Sequence, residues 1–586
     1  MRFSNALMLG LTALTLTFCK KNDEVVPSVP QSEERTIGTE AVSQFNYVIT
    51  PSMSIVDGSI LKLPAGAVVG IEGGSRGPLL LKNFVGADGN PIRFVNKGSK
   101  VVINSTGSYG LKFENSKFIR VSGTGDDINR YGIEINGGHI TMTMDKMTTN
   151  FEIDHMDIHN AGFAGIMAKT DPSCDPATWR NNFTMRNVSL HDNYVHDVKG
   201  EGFYVGNSFY ASGRSLSCGT IYPHKVENVK IYNNITKNTG CEGIQLGCAT
   251  SGAEVYNNSV ELFGQDPFAP AQNNGIQIGE GSGGKLYNNI VKNGPGNGLI
   301  ILGLGDNVIY NNVVINAGSN GAFIDERFTT GPGFAFYNNT FINPKSNGVL
   351  FYSELVSMNH FINNIIVNPG SGTFINTKSG VRLNQSNNLL TKDINSVKFV
   401  NPSANNFALQ SISPAINKGA NTSAQGVTFD YARVARPQSG YHDIGAYEFS
   451  GTVSSPAAPV TSSPAPAPST TRGLAVTSFS LIDANTDKVI ATIPNGYVLN
   501  LSSFATRSFN IKVNTNSATA GSIVMKFNTT TRTENSAPFS MFGDFSGDYT
   551  GKALSAGSYS MTAIPYSGAS ASGTKGTPLT VSFTVR

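Results

Sequence analysis

The chain has 586 residues, too many for one ordinary core, so several domains or a repeat architecture are required. Charged residues make up 14% and Gly reaches 63, a composition of strands and turns that excludes helical bundles. A formal charge of +3 is near neutral for this length and gives no case for a nucleic-acid partner.

Residues 1–18 hold Arg2 and an apolar stretch from Ala6 to Phe18, a signal-peptide pattern too short for a membrane span. Cys19 follows, with Lys20, Lys21, Asn22, Asp23 and Glu24 behind it. This junction resembles a lipoprotein signal of the Bacteroidota type. The resemblance implies that Cys19 carries a lipid, that residues 19–44 are a polar tether, and that the protein is exported to the outer membrane or cell surface. An uncleaved anchor or simple secretion is the alternative. No later segment is apolar for long enough to span a bilayer, so the expected membrane contact is through the lipid alone.

From residue 45 the chain repeats itself. The block Ile-Tyr-Asn-Asn at 231–234 recurs with a varied first residue at 255–258, 286–289, 309–312 and 336–339, and as Phe-Ile-Asn-Asn at 361–364. A Gly-led strand follows at a fixed step: Asn234 to Gly243, Asn289 to Gly298, Asn312 to Gly321, Asn339 to Gly348, and earlier Asn193 to Gly202. Asn258 to Gly275 keeps the step with eight residues inserted. Within each unit apolar and polar residues alternate, as in Ile244 and Leu246 around Gln245, which is the mark of short strands. One unit cannot bury its apolar row, whereas stacked units bury a continuous column, so the pattern predicts an all-β, right-handed parallel β-helix of about ten coils over residues 45–400. Asn193, Asn234, Asn258, Asn289, Asn312, Asn339 and Asn364 read as a ladder of stacked amides, with Asn tolerating left-handed backbone. Asn160, Asp197, Asn238, Asn293, Asn316, Asn343 and Asn368 read as a second.

The segments Leu63-Pro-Ala-Gly-Ala-Val-Val-Gly, Asn90-Pro-Ile-Arg-Phe and Tyr109-Gly-Leu-Lys-Phe resemble the opening coils of the pectate-lyase-like superfamily. Ser413-Pro-Ala-Ile-Asn-Lys-Gly and Asp443-Ile-Gly-Ala-Tyr-Glu-Phe resemble the closing segment, here residues 401–450, of Bacteroidota β-helix proteins. The resemblance implies a polysaccharide partner lying along the Gly-led strand and its preceding turn.

Residues 451–472 are a Pro/Ser-rich linker, and 473–586 alternate as six or seven strands, predicting a small β-sandwich that resembles immunoglobulin-like accessory modules. Of the remaining cysteines, Cys174 and Cys218 lie in long insertions on successive coils and are the preferred disulfide, with Cys248 the rival partner of Cys218. The insertions 169–181, 206–225 and 262–274 are expected to wall one stretch of one face, where function would lie.

On that stretch the residue before each Gly forms a column: Glu201, Glu242, Asn274, Asn297, Asn320, Asn347. Glu201 and Glu242 stack one coil apart and repel unless compensated, so with Asn274 they are candidate ligands of Ca²⁺. His159, His196 and Lys237 lie one turn earlier; Tyr204, Lys199, Gln245, Gln277, Glu280, Asp325, Glu326 and Arg327 lie on the same side as candidate substrate contacts. Three functions fit. A lyase acting on a uronate-containing glycan would use Lys237 or His196 as base, with metal or Arg327 neutralising the carboxylate, and is favoured. A glycoside hydrolase would pair Glu201 with Glu242, or Glu280 with Asp325. A non-catalytic glycan-binding surface would leave these charges solvated. No organic cofactor is expected, and the chain is expected to be a monomer.

Overall fold

The computed structural model describes residues 44–451 and 474–586, apart from positions 127, 327–329, 439, 494–496, 502–503, 505, 516–519, 536 and 546–547. It divides the chain into two compact units, residues 1–456 and 457–586. Cys19 and the signal, the tether to residue 43, linker residues 452–473 and Arg327 fall outside the described residues.

The first unit is the coil that the repeat predicts. Twelve strands, from Ile55–Asp57 through Ile244–Leu246 to Ile375–Thr377, form one parallel sheet, called here the narrow sheet. Twenty-four further strands pair in a second parallel sheet, where each coil contributes to two files, for example Lys225–Tyr232 and Ile235–Thr239. Among the described residues the narrow sheet has twelve strands, with Ile55–Asp57 and Leu79–Lys82 preceding the first recognisable repeat. At about 4.8 Å per step the column is roughly 53 Å long.

Register explains the repeat. Ile166, Phe203, Ile244, Ile276, Leu299, Ala322 and Val349 pair strand to strand down the narrow sheet as one inward column, and all are fully buried. The Gly that leads each strand is a steric requirement. A Cβ at Gly243 would stand 2.3 Å from Val260 Cγ1, and one at Gly298 2.2 Å from Val314 Cγ1, so the corner closes only over a bare Cα.

The amide ladder is continuous. Asn193 donates to Asn234 at 3.1 Å, Asn234 to Asn258 and Asn258 to Asn289 at 3.0 Å, and the chain of amides runs on through Asn312, Asn339 and Asn364 to Asn388. The left-handed backbone sits one residue earlier than expected for this ladder, at Asn233, Asn257, Asn288, Asn311, Asn338 and Asn363. The inner Asn is thereby free to turn its side chain into the wall, where it also satisfies main-chain groups. In the second ladder the residues from Asn160 to Asn368 are themselves left-handed, and Leu262 breaks the amide run between Asn238 and Asn293.

Outside the coil, the second sheet carries a stack of rings: His191, Tyr232, Tyr256, Tyr287 and Tyr310 at centroid spacings of 4.6 to 4.9 Å. His191 is buried between Asp192 Oδ2 at 2.7 Å and Glu152 Oε1 at 3.1 Å. The closing segment lies against the last coils, where Arg436 and Glu448 form a fully buried ion pair at 2.7 Å and the Arg436 guanidinium reaches the Gly445 carbonyl and Asn311.

The second unit is a small β-sandwich. A three-stranded sheet (Lys488–Thr492, Val476–Asp483, Phe509–Thr515) and a five-stranded sheet led by Gly557–Tyr566 and Leu579–Val585 enclose their own core around Phe479, Ile511, Met525 and Met561. Among the described residues no helix is long and apolar enough to cross a membrane.

Candidate functional site

The narrow sheet turns one residue of each strand outward. Down the middle of the column this row is Met167, Tyr204, Gln245, Gln277, Ile300, Phe323, Leu350. The insertions frame its upper half. Cys174 and Cys218 are joined, tying the first insertion to the second, and the Arg180 guanidinium stacks between Tyr210 at 3.9 Å and Tyr222 at 4.9 Å. The third insertion lies on the opposite edge, its main chain donating from Gly264, Gln265 and Asp266 to the carbonyls of Cys241, Thr239 and Gly240.

This framing buries what the repeat turns outward. Tyr204 and Gln245 both meet Ser208 Oγ, at 2.9 and 2.8 Å, and neither is open to solvent along its length. Glu201 and Glu242 are 2% and 0% exposed. A carboxylate oxygen of each and the Cys241 Sγ lie within 4.8 Å of one another, and the Oε2 of each glutamate has no hydrogen-bond partner. Burial pushes Glu201 up to about 7, its own main-chain N–H pulls it down, the Glu242 charge adds to the rise and Lys169 opposes it. Burial raises Glu242 as well, against the hydrogen bond from Asn274. Burial holds the Cys241 thiol neutral, up at about 12.

Asn274 does not face this pair as a ligand. Its Nδ2 donates to Glu242 Oε1 at 3.0 Å and its Oδ1 receives Asn297 Nδ2 at 2.8 Å, so the oxygen is turned away from the carboxylates. The residues below it continue as a third amide ladder, Asn297, Asn320, Asn347, each rung 2.8 Å. This ladder edges the outward row.

The proposed bases are elsewhere. His196 stands in the neighbouring file between His159 and Lys237, its Nδ1 2.6 Å from Asp197 and its Nε2 3.2 Å from Asp157. Burial lowers its pKa and those two carboxylates more than restore it, and between them they engage both ring nitrogens. Lys237 pairs in register with His196 and Glu261 on that same file. The cation that acts on Glu201 is instead Lys169, whose Nζ sits 4.4 Å from the Tyr204 ring centre and 2.9 Å from Asp171. Lys199 is exposed in the turn before Glu201. Glu280 receives the Ala211 N–H at 3.4 Å. Asp325 and Glu326 follow the strand Ala322–Ile324, with Glu326 buried and one of its oxygens unpartnered.

Several groups on the face carry no repeat signal. Phe163 and Phe268 meet at 5.4 Å above the buried glutamates, Phe268 being 54% exposed. Phe323 and Tyr352 meet at 5.5 Å near the lower end, with Tyr352 40% exposed. Cys241 and Lys169 neighbour expected positions in sequence, so adjacency to the glutamate column was a usable signal for them; Phe268 gives none, because only the folded insertion brings it over the coil.

Residues 247–390 match the right handed beta helix region family. No curated protein sequence matches the chain. Among solved structures it is similar to pectate lyase Pel9A, at 13% identity over 70% of this chain and 98% of that one, with a TM-score of 0.40. It is also similar to an alginate lyase from Paenibacillus sp. str. FPU-7 (14% identity, 58% and 99% of the two chains, TM-score 0.33). A third is the catalytic unit of an alpha-1,3-glucanase from Streptomyces thermodiastaticus (13%, 61% and 69%, TM-score 0.33). None of the three assigns a reaction or a substrate to this chain.

Proposed function

We propose that the outer face of the narrow sheet holds a neutral polysaccharide. The observation that carries this reading is the outward row itself. Exposed aromatic rings stand over both of its ends, one edge is a ladder of side-chain amides, and the other bears Glu280, Asp325 and Glu354. Aromatic faces take the apolar face of a sugar ring, while amides and carboxylates take its hydroxyls. Below the cover over Tyr204 and Gln245, the row advances three coils from Gln277 to Leu350, about 14 Å, enough for a short run of sugars. Charge favours a neutral or amine-bearing glycan over a uronan: carboxylates border the row, and Lys169 and Lys378 are already committed to Asp171 and Glu354.

Cleavage has less support than binding. With Glu201 and Glu242 sealed, a glycan touches neither, and with His196 doubly engaged and Lys237 on the next file, the base required for β-elimination is not beside the pair. The test is to pass the purified protein over immobilised neutral glucans, amino-sugar polymers and uronans and to assay the same polymers for products. Retention on a neutral or amine-bearing polymer, reduced at least tenfold by Tyr352→Ala, is the expected result. Retention on uronans alone overturns it. Unsaturated products would restore the lyase, and new reducing ends without unsaturation would make the chain a hydrolase.

A further inference from the structure

We propose that Glu201, Cys241 and Glu242 form a site for one divalent cation of the zinc class, which joins two successive coils. The proposal goes beyond the glycan reading and stands whether or not the face holds a sugar.

Two independent features point to a ligand here. The first is composition and reach: one thiol and two carboxylates converge within 4.8 Å. A tetrahedral zinc, with bonds of about 2.3 Å to sulfur and 2.0 Å to oxygen, sets its ligand atoms roughly 3.5 Å apart, so the triad need contract by only about an ångström. The second is that both carboxylates are sealed from solvent while each keeps an oxygen with no hydrogen-bond partner. Buried polar atoms are almost always satisfied, and two such exceptions on neighbouring carboxylates favour a positive partner between them.

The surroundings already orient the ligands. Asn274 donates to Glu242 Oε1 and leaves Oε2 without a protein partner, a supporting hydrogen bond of the kind that holds metal carboxylates in place. Gly264 donates to the Cys241 carbonyl and Asp266 to that of Gly240, so the insertion is laid on the residues that bracket the thiol. With three protein ligands, a water completes the tetrahedral set. Zinc is favoured over calcium because calcium takes six to eight oxygens and has no use for a thiol, whereas sulfur with oxygen suits zinc. Lys169 competes for Glu201 from the far side, but its ammonium is held at 2.9 Å by Asp171.

The full chain, stripped with chelator, is titrated separately with Zn²⁺, Ca²⁺ and Co²⁺. One equivalent of Zn²⁺ is expected to raise the melting midpoint by about 2–4 °C, and Co²⁺ to give a near-ultraviolet sulfur-to-metal band. Both responses should vanish in Cys241→Ser and survive in Cys248→Ser, whose thiol bonds the Asn207 carbonyl instead. Should Cys241→Ser not fold, Glu201→Gln serves in its place and should weaken Zn²⁺ at least tenfold. The proposal is overturned if the wild type ignores Zn²⁺, if Ca²⁺ stabilises it equally, or if the response persists without the Cys241 thiol. Glutamates that merely share a proton would give the first of those results.

Discussion

Ile244 and Gln245 are neighbours in sequence, yet the coil gives them opposite tasks. Ile244 is a rung of the inward column with no exposed surface, so Ile244→Asp buries a charge among aliphatic groups and is expected to cost about 4 kcal/mol or more, read as a fall in the urea midpoint. Gln245 points outward but beneath the second insertion, where its amide meets Ser208; Gln245→Ala should cost about 1 kcal/mol rather than nothing. His191 gives the pH dependence at this scale. Burial alone would lower its pKa, but Asp192, Glu152 and Asp154 raise it from 6.5 to about 9. A folded-state pKa above the unfolded value means the contribution is complete below about pH 6.5 and is lost as the pH climbs through 9. The urea midpoint should therefore fall between pH 6.5 and 9.5, and His191→Gln should flatten that fall.

Among the elements, the ladder shows how side chains hold a coil whose strands are only three residues long. Asn258→Ala removes the acceptor for the Asn234 amide and main-chain N–H together, so about 2–4 kcal/mol should be lost, whereas Asn257→Gly keeps the left-handed turn and gives up one amide bond to Asn233, so about 1 kcal/mol should be lost. A pair of urea titrations separates the two. At the other end, Arg436→Ala strands the buried Glu448 carboxylate and should cost about 3–5 kcal/mol, with hydrogen exchange rising first in the last coils. These ladders and columns were legible in the sequence because sterics repeat: Gly243 must be Gly beneath Val260, and Asn258 must reach the next coil. What covers an outward residue does not repeat. Glu201 and Glu242 have the same sequence signature whether bare or sealed, and their burial is decided by non-periodic insertions. The orientation of Asn274 was hidden for the same reason, since it depends on which neighbour needs a donor.

At the scale of the whole molecule, the coil couples each turn only to the next, as nearest-neighbour stacking requires. The turn formed by residues 290–312 starts after Asn289 and ends on Asn312, and carries no insertion. A second copy of it placed ahead of residue 290 would keep the outer contacts on both sides and stack on itself between the copies, Val291 on Val291 and Asn297 on Asn297 where Val314 and Asn320 now sit; the new junction also sets Lys292 on Lys292, with only the first of them opposite Glu261. With the second of those lysines changed to Ile, the residue that Lys292 meets at 315, the duplicated protein is expected to fold with an unchanged or higher melting midpoint and an outer row longer by about 4.8 Å. The column thus behaves as a ruler graduated in turns. Its reach along a polymer is set by counting, and could be reset by whole graduations without redrawing the marks on either side.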